Sequence, residues 1–250
     1  MKPIPYRATN GTGQKTSVPI PLLSTEQVSK RFGYRTIFQQ VTFDLFPEEF
    51  ILLIGNNGTG KSTLFRLLCS LSHPSSGTLR FNSCPYRECL PEVRRNIGFL
   101  GHESRLYPDL SAMENLHIFG TLYNIPELEQ RINSVLDEVG LVMAKTLPVR
   151  TYSSGMTKRL MIAHMILIQP KVLLLDEPYT GLDPSSVEWF QTHLKQFRKS
   201  GGAIMLITHQ LDLGLELADR VLVLHQQHLL RDIPAIGLTP ETCSGWLNAP

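Results

Sequence analysis

An α/β fold, with a parallel sheet buried on both faces and one helical insert, is predicted by three observations. Four runs are apolar without alternation: Phe50-Ile51-Leu52-Leu53-Ile54, Lys171-Val172-Leu173-Leu174-Leu175-Asp176-Glu177, Ala203-Ile204-Met205-Leu206-Ile207-Thr208-His209 and Val221-Leu222-Val223-Leu224-His225. Strands of that kind are covered on both sides, as in a parallel sheet sandwiched by helices. Between about His102 and Ile168 the apolar residues instead recur at three- and four-residue steps, the helical period. Finally, Gly55-Asn56-Asn57-Gly58-Thr59-Gly60-Lys61-Ser62 reads G-x-x-x-x-G-K-S between the first strand and helix-like Thr63-Leu64-Phe65-Arg66-Leu67-Leu68. Strand, glycine-rich loop and helix in that order are the setting of a P-loop.

The bulk properties narrow the class. With 250 residues the chain can bury a large core as one α/β domain or one with an inserted subdomain. Lys and Arg number 24 against 22 Asp and Glu, so no basic surplus points to nucleic acid. Cys69, Cys84, Cys89 and Cys243 show neither C-x-x-C spacing nor a matching His pair, which favours reduced thiols over a metal site or a disulfide. No apolar run reaches the roughly 18–20 residues of a membrane span, and the N-terminus lacks the apolar stretch of a signal peptide. A soluble chain is expected, brought to any membrane by another subunit.

Taken in order, residues 1–22 hold Pro3, Pro5, Pro19 and Pro21 and the polar run Thr9-Asn10-Gly11-Thr12-Gly13-Gln14, a flexible tail. The domain is expected over 23–235. A strand-like segment from Leu23 leads to Lys30-Arg31-Phe32-Gly33-Tyr34 and then to Val41-Thr42-Phe43-Asp44-Leu45. An aromatic ring upstream of a P-loop can stack on an adenine face, and Phe32 and Tyr34 are the two candidates, with ordinary strand aromatics as the alternative. In the P-loop itself, the glycines let the backbone curl so that successive N–H groups point at phosphate oxygens, and the helix opening at Thr63 adds its positive end. Lys61 brings a full charge to the β- and γ-phosphates, and the Ser62 hydroxyl can ligate Mg²⁺. The chain is therefore expected to bind a nucleoside triphosphate.

After the P-loop helix, Ser75-Ser76-Gly77 turns into strand Thr78-Leu79-Arg80-Phe81, and Ile97-Gly98-Phe99-Leu100 reads as a buried strand. The insert, about 103–168, carries helix patterns at Met113–Phe119 and Gln130–Val139. Asp176 and Glu177 then end a buried strand, and open α/β sheets bind ligands at the carboxyl ends of their strands. There Asp176 can hold Mg²⁺ and Glu177 can polarise the attacking water. Beyond Asp232 the chain is Pro-punctuated, and 236–250 reads as a C-terminal tail.

Two further pieces set the subclass: Tyr152-Ser153-Ser154-Gly155-Met156-Thr157-Lys158-Arg159 opening a helix upstream of the acids, and Thr180-Gly181-Leu182-Asp183 with Thr208-His209 downstream. From Leu23 to about Asp232 the chain resembles the ATP-binding subunit of an ABC transporter. The resemblance implies a P-loop NTPase, RecA-like core with an inserted helical subdomain. Ser153, Ser154 and Gly155 match the signature loop, which meets the γ-phosphate of the partner subunit's ATP, so that two copies close head to tail around two ATP–Mg²⁺. Asp183 matches the loop linking the two sites. His209 matches the switch histidine that contacts the γ-phosphate and Glu177, so Glu177, His209 and Lys61 are the catalytic candidates.

The chain departs from the family pattern in places. The signature reads Y-S-S-G-M where L-S-G-G-Q is usual, which adds a Cβ at Ser154 and removes an amide at Met156. His102, in Phe99-Leu100-Gly101-His102, stands where the family commonly has a glutamine that touches Mg²⁺ or the lytic water and couples the site to the membrane subunit. A histidine keeps one hydrogen bond there, with a pH-dependent charge; a plain loop residue is the alternative. The Leu-Gly-His run, Leu110-Ser111-Ala112-Met113-Glu114-Asn115-Leu116 and the S-x-G-M signature are most similar to the ATP-binding subunit of the haem exporter of cytochrome c maturation. The expected protein is thus an ATPase at the cytoplasmic face of the cell membrane, working as a dimer with integral membrane subunits and without nucleic acid. Three alternatives stay open: an exporter of a drug, lipid or polysaccharide; a soluble ABC ATPase acting on nucleic acid or ribosomes; and a nucleotide sensor without turnover.

Overall fold

The computed structural model describes residues 19–101 and 103–247. Residues 1–18 of the expected flexible tail therefore lie outside the described residues. Among the described residues the first elements are a hairpin, β1 (Leu23–Phe32) and β2 (Arg35–Leu45), followed by β3 (Phe50–Ile54), α1 (Lys61–Leu68), β4 (Ser76–Phe81), β5 (Cys84–Pro85), α2 (Tyr86–Asn96) and β6 (Ile97–Leu100). The insert holds α3 (Ala112–Leu122), α4 (Leu128–Glu138) and α5 (Ser154–Ile168). The chain then returns to the sheet with β7 (Val172–Asp176), α6 (Pro184–Lys199), β8 (Ala203–Ile207), α7 (Leu211–Leu217), β9 (Arg220–His225), β10 (His228–Pro234) and α8 (Pro240–Leu247).

The four non-alternating runs become the centre of a six-stranded sheet ordered β10-β9-β3-β8-β7-β6. All its neighbours are parallel except β10, which runs antiparallel to β9 along one edge. In-register pairs such as Leu52 with Leu206 and Leu174 with Met205 line up the carboxyl ends of β3, β8 and β7. Successive side chains of a strand point to opposite faces, and each face has its own cover. Leu52, Ile54, Leu173, Leu175, Leu206 and Val223 pack with the residues of α3 to α7, among them Leu136, Leu160 and Phe190. Ile51, Leu53, Leu174, Met205, Leu222 and Leu224 face Phe43, Phe65 and Phe81 instead. At about 1.5–3 kcal/mol per fully buried aliphatic side chain, this double burial is what keeps the strands apolar at every position.

The second face departs from the expectation of helices on both sides. The segments expected as strands at Leu23, Val41–Leu45 and Thr78–Phe81 do not join the parallel sheet; they form a separate antiparallel sheet, β2-β1-β4-β5, which covers that face together with α1 and α2. Their alternating burial, as in Val41, Phe43 and Leu45, shows one face packed and one solvated, the habit of antiparallel sheets.

Other elements escaped the sequence pattern, α2 and α8 among them. α2 carries Pro91 inside and a kink at Cys89 (φ −129°, ψ 29°), which break its helical period. Residues 236–250, read as a C-terminal tail, contain the two-turn α8, in which Cys243 is fully buried and Trp246 and Leu247 pack on the main core. Three apolar residues in so short a run leave too little periodicity to read.

The insert is set by its first turn. Ser111 and Glu114 form a capping box: the Glu114 N–H donates to Ser111 Oγ (3.2 Å), and the Ser111 N–H donates to Glu114 Oε2 (2.7 Å). Asn115, fully buried, donates from Nδ2 to the carbonyls of Tyr107, Leu110 and Ser111 and accepts the Tyr107 N–H at Oδ1 (2.7 Å). The loop leaving β6 is thereby sewn onto α3.

Candidate functional site

The loop from Gly55 to Gly60 leaves the end of β3 and enters α1, for which Gly60 is the N-cap. Gly60 has φ 101° and no room for a side chain: a Cβ would lie 2.6 Å from Ile37 Cγ2 and 2.9 Å from Phe38 Cδ1. Glycine is therefore required twice over, by backbone and by space. Asn56 is the organising residue. Its carbonyl accepts the Thr59 hydroxyl (2.8 Å), the Thr59 N–H (3.3 Å) and Lys61 Nζ (3.1 Å). Lys61 Nζ also donates to the Gly55 carbonyl (2.7 Å), so the ammonium lies folded over the loop. Burial lowers the Lys61 pKa, against the fields of Asp176 and Glu177, which raise it. Those two carboxylates are thus electrostatic neighbours of Lys61. Ser62 is exposed and Thr63 half-buried in the first turn of α1.

Asp176 ends β7 opposite Ile207 of β8 and is 2% exposed. Glu177 follows in a left-handed conformation, φ 50°, unusual for a residue with a Cβ. Three bonds hold its peptide there. Its N–H donates to the Ile207 carbonyl (2.9 Å), and its own carbonyl accepts the Thr180 N–H (3.4 Å) and Lys158 Nζ (3.3 Å). The side chain turns towards His209. Oε2 accepts the His209 N–H (3.3 Å), and Oε1 lies 3.7 Å from His209 Nε2, buried with no hydrogen-bond partner among the described residues. A buried carboxylate oxygen left open is suited to accept a proton or a water hydrogen bond. The His209 ring itself is largely exposed.

Ser153 is the N-cap of α5 and accepts the Met156 N–H at Oγ (3.2 Å). Ser153 and Ser154 are exposed, Gly155 half-buried. A Cβ on Gly155 would stand 3.0 Å from the Gly181 carbonyl, which places this loop beside Thr180–Asp183 of the same chain. Among the described residues no hydrogen bond joins it to the Gly55–Ser62 loop. Asp183 caps α6: its carboxylate accepts the Ser186 N–H (2.9 Å) and the hydroxyls of Ser185 (2.6 Å) and Ser186 (2.8 Å), and those bonds hold its pKa well below the usual range. The two aromatic candidates separate. Tyr34, fully exposed, lines a cleft of about 500 Å³ with Asn57, Gly58, Thr59, Gln226 and Gln227. Phe32 is not among the residues lining that cleft and carries Lys30 Nζ 4.7 Å above its ring. His102 lies outside the described residues.

Sequence reasoning missed Lys158, whose pKa burial lowers against the fields of Asp176 and Glu177. It also passed over a second cleft, about 350 Å³, between the insert and β6, lined by Leu71, Phe99, Arg105, Phe119, Leu122 and His164 among others. His164 packs on Phe119 with ring centroids 4.1 Å apart, and its Nε2 is buried without a partner among the described residues. Burial, helped by Arg105, pushes its pKa down to about 4, so the imidazole is neutral. Among the described residues no helix is long and apolar enough to cross a membrane.

Known proteins resemble this chain in sequence and fold. The family model described as ABC transporter matches residues 38–180. The chain is 32% identical over 201 residues to the cytochrome c biogenesis ATP-binding export protein CcmA 1 of Cupriavidus metallidurans, covering 80% of this chain and 97% of that one. It is likewise 32% identical over 206 residues to the Nod factor export ATP-binding protein I of Ralstonia nicotianae, covering 82% of this chain and 64% of that one. Among solved structures, an ATP-binding subunit of an ABC transporter superposes with a TM-score of 0.84 at 25% identity, over 91% of this chain and all of the other.

Proposed function

We propose, for a chain that belongs to the ABC transporter family as an ATP-binding subunit, that its ATP hydrolysis drives export or delivery of haem for cytochrome c biogenesis. The protein binds and hydrolyses ATP. What supports the finer reading is the likeness to CcmA 1 along nearly its whole length, together with the Leu100-Gly101-His102 and Ser153-Ser154-Gly155-Met156 runs. The likeness to the Nod factor exporter favours a second reading, an ABC-2 type exporter of another cargo.

The observation that carries the mechanism is the buried, open Oε1 of Glu177, 3.7 Å from His209 Nε2 and within the field that reaches Lys61. In this reading Glu177 orients the water for in-line attack and takes up its proton. Lys61 and the loop N–H groups stabilise the charge that builds on the phosphates. His209, exposed beside Glu177, meets the γ-phosphate. Tyr34, at the edge of the loop cleft, is the better placed of the two aromatic residues to meet a base. Mg²⁺, general to the family, fits the hard oxygen donors Ser62 Oγ and the Asp176 carboxylate, the latter buried and acting on Lys61. Held there by Ser62 and Asp176, it would supply positive charge against the charge that builds on the phosphates. The exposed Ser153 and Ser154, apart from the chain's own phosphate loop, are then free to meet the ATP of a second copy. Closure of two copies would move membrane subunits seated near His102 and the insert, holding the protein at the cytoplasmic face.

Capture of the tagged chain from gently solubilised native membranes, followed by mass spectrometry, separates the cargo readings. Small multi-span subunits with a haem-handling membrane protein support haem. A single unrelated permease keeps the ATPase and discards haem.

A further inference from the structure

The last described residues of the chain touch the phosphate loop. Asn56 Nδ2 donates to the carbonyl of Leu247, the final residue of α8, at 2.7 Å and across 191 residues of sequence. That carbonyl is one of those a helix leaves without an intrahelical partner, at the end where the helix dipole favours a donor. Asn56 is also the residue whose own carbonyl holds the Thr59 hydroxyl and Lys61 Nζ. A chain of bonds therefore runs from the end of α8, through the Asn56 side chain and backbone, to the lysine of the loop.

The helix end is itself held. Cys243 is fully buried, and Trp246 and Leu247 pack on the main core. Arg231 of β10 places its guanidinium carbon 5.0 Å from the centre of the Trp246 ring, a cation–π contact. α8 also packs against α7, which begins two residues after His209.

We propose that α8 is a positioning element for nucleotide binding: Arg231 and Trp246 fix the helix end that holds Asn56, and through Asn56 the geometry of Thr59 and Lys61. This rests on reading Gly55–Ser62 as the phosphate loop. None of Arg231, Trp246 or Leu247 needs to touch nucleotide. Their effect is on the affinity of the loop, not on the chemistry at Glu177.

The test uses the full chain. Trp189 on α6 and Trp246 are its two tryptophans, so Trp189→Phe leaves Trp246 as sole reporter. ATP with Mg²⁺ should change Trp246 emission with the midpoint found for a fluorescent ATP analogue. Arg231→Ala and Trp246→Ala should raise KM for ATP about three- to tenfold, the range for one lost hydrogen bond, with kcat within about twofold. Trp246→Phe, which keeps a ring under Arg231, should restore KM. Should Trp246→Ala fail to fold, Arg231→Ala carries the same expectation. Unchanged KM in the folded variants overturns the proposal, as does a lowered melting temperature with unchanged KM. Lys61→Ala distinguishes the two failures: retained ATP affinity there sinks the phosphate-loop reading itself, whereas lost affinity with unchanged KM in the α8 variants sinks only the role of α8.

Discussion

Lys158 Nζ donates to the backbone carbonyl of Glu177 at 3.3 Å, tying α5, the helix that Ser153 caps, to the acid after β7. Glu177 needs such support, because a non-glycine residue at φ 50° keeps that conformation only where its surroundings over-determine it. The fields of Asp176 and Glu177 also offset part of the ammonium's own desolvation.

Replacing Lys158 should therefore act through Glu177. Lys158→Met should lower kcat about tenfold with KM for ATP within about twofold, and Lys158→Arg should recover most of the loss. In a Glu177→Gln background, Lys158→Met should add nothing further. Steady-state kinetics of the four variants checks this; an additive loss would assign Lys158 a role of its own.

The buried neutral His164 sets a pH window. Its folded pKa, about 4, lies below the unfolded value of about 6.5. Between those values the unfolded chain binds a proton that the folded chain does not. Stability from this group is complete above about pH 6.5, falls as pH drops, and levels off below about 4. The whole change is on the order of 3 kcal/mol. His164→Gln should flatten that part of the profile in urea unfolding at pH 7, 6, 5 and 4. A slope identical to that of the unsubstituted chain would show that His164 does not stay neutral.

The insert depends on its capping box. Ser111→Ala removes the acceptor of the Glu114 N–H and should cost about 1 kcal/mol. Asn115→Leu should cost more, about 2–3 kcal/mol, because it removes at once the acceptor of the part-buried Tyr107 N–H and the buried donor to the Tyr107, Leu110 and Ser111 carbonyls. Equilibrium denaturation gives both numbers, and the order Ser111 above Asn115 would contradict the sewing role of the asparagine.

Local signals were legible and distant ones were not. Gly55 to Ser62 lie in one run between a strand and a helix, so that loop is readable from residue order alone. The parallel strands are visible because both their faces are buried, at Ile51 and Leu52 alike. Alternation at Val41–Leu45 marks a strand with one wet face, but it names no partner strand, and so the antiparallel sheet stayed unread. Pro91 and the Cys89 kink hid α2. The contacts that shape the site, Lys158 to Glu177 and Asn56 to Leu247, join residues 19 and 191 apart. Such contacts depend on how packed elements meet, which no short pattern encodes. The Glu177 backbone at φ 50° is likewise a product of its bonds to Ile207, Thr180 and Lys158 rather than of residue type.

The most direct measurement is the mass and turnover of Glu177→Gln with ATP and Mg²⁺, by light scattering after size exclusion and by phosphate release. With the open carboxylate oxygen replaced by an amide, binding should survive and proton uptake should not. A particle of twice the 28.2 kDa chain mass with turnover reduced at least about a hundredfold is the expected result. A monomer that still releases phosphate at the unsubstituted rate would contradict both the two-copy sandwich and the role of Glu177.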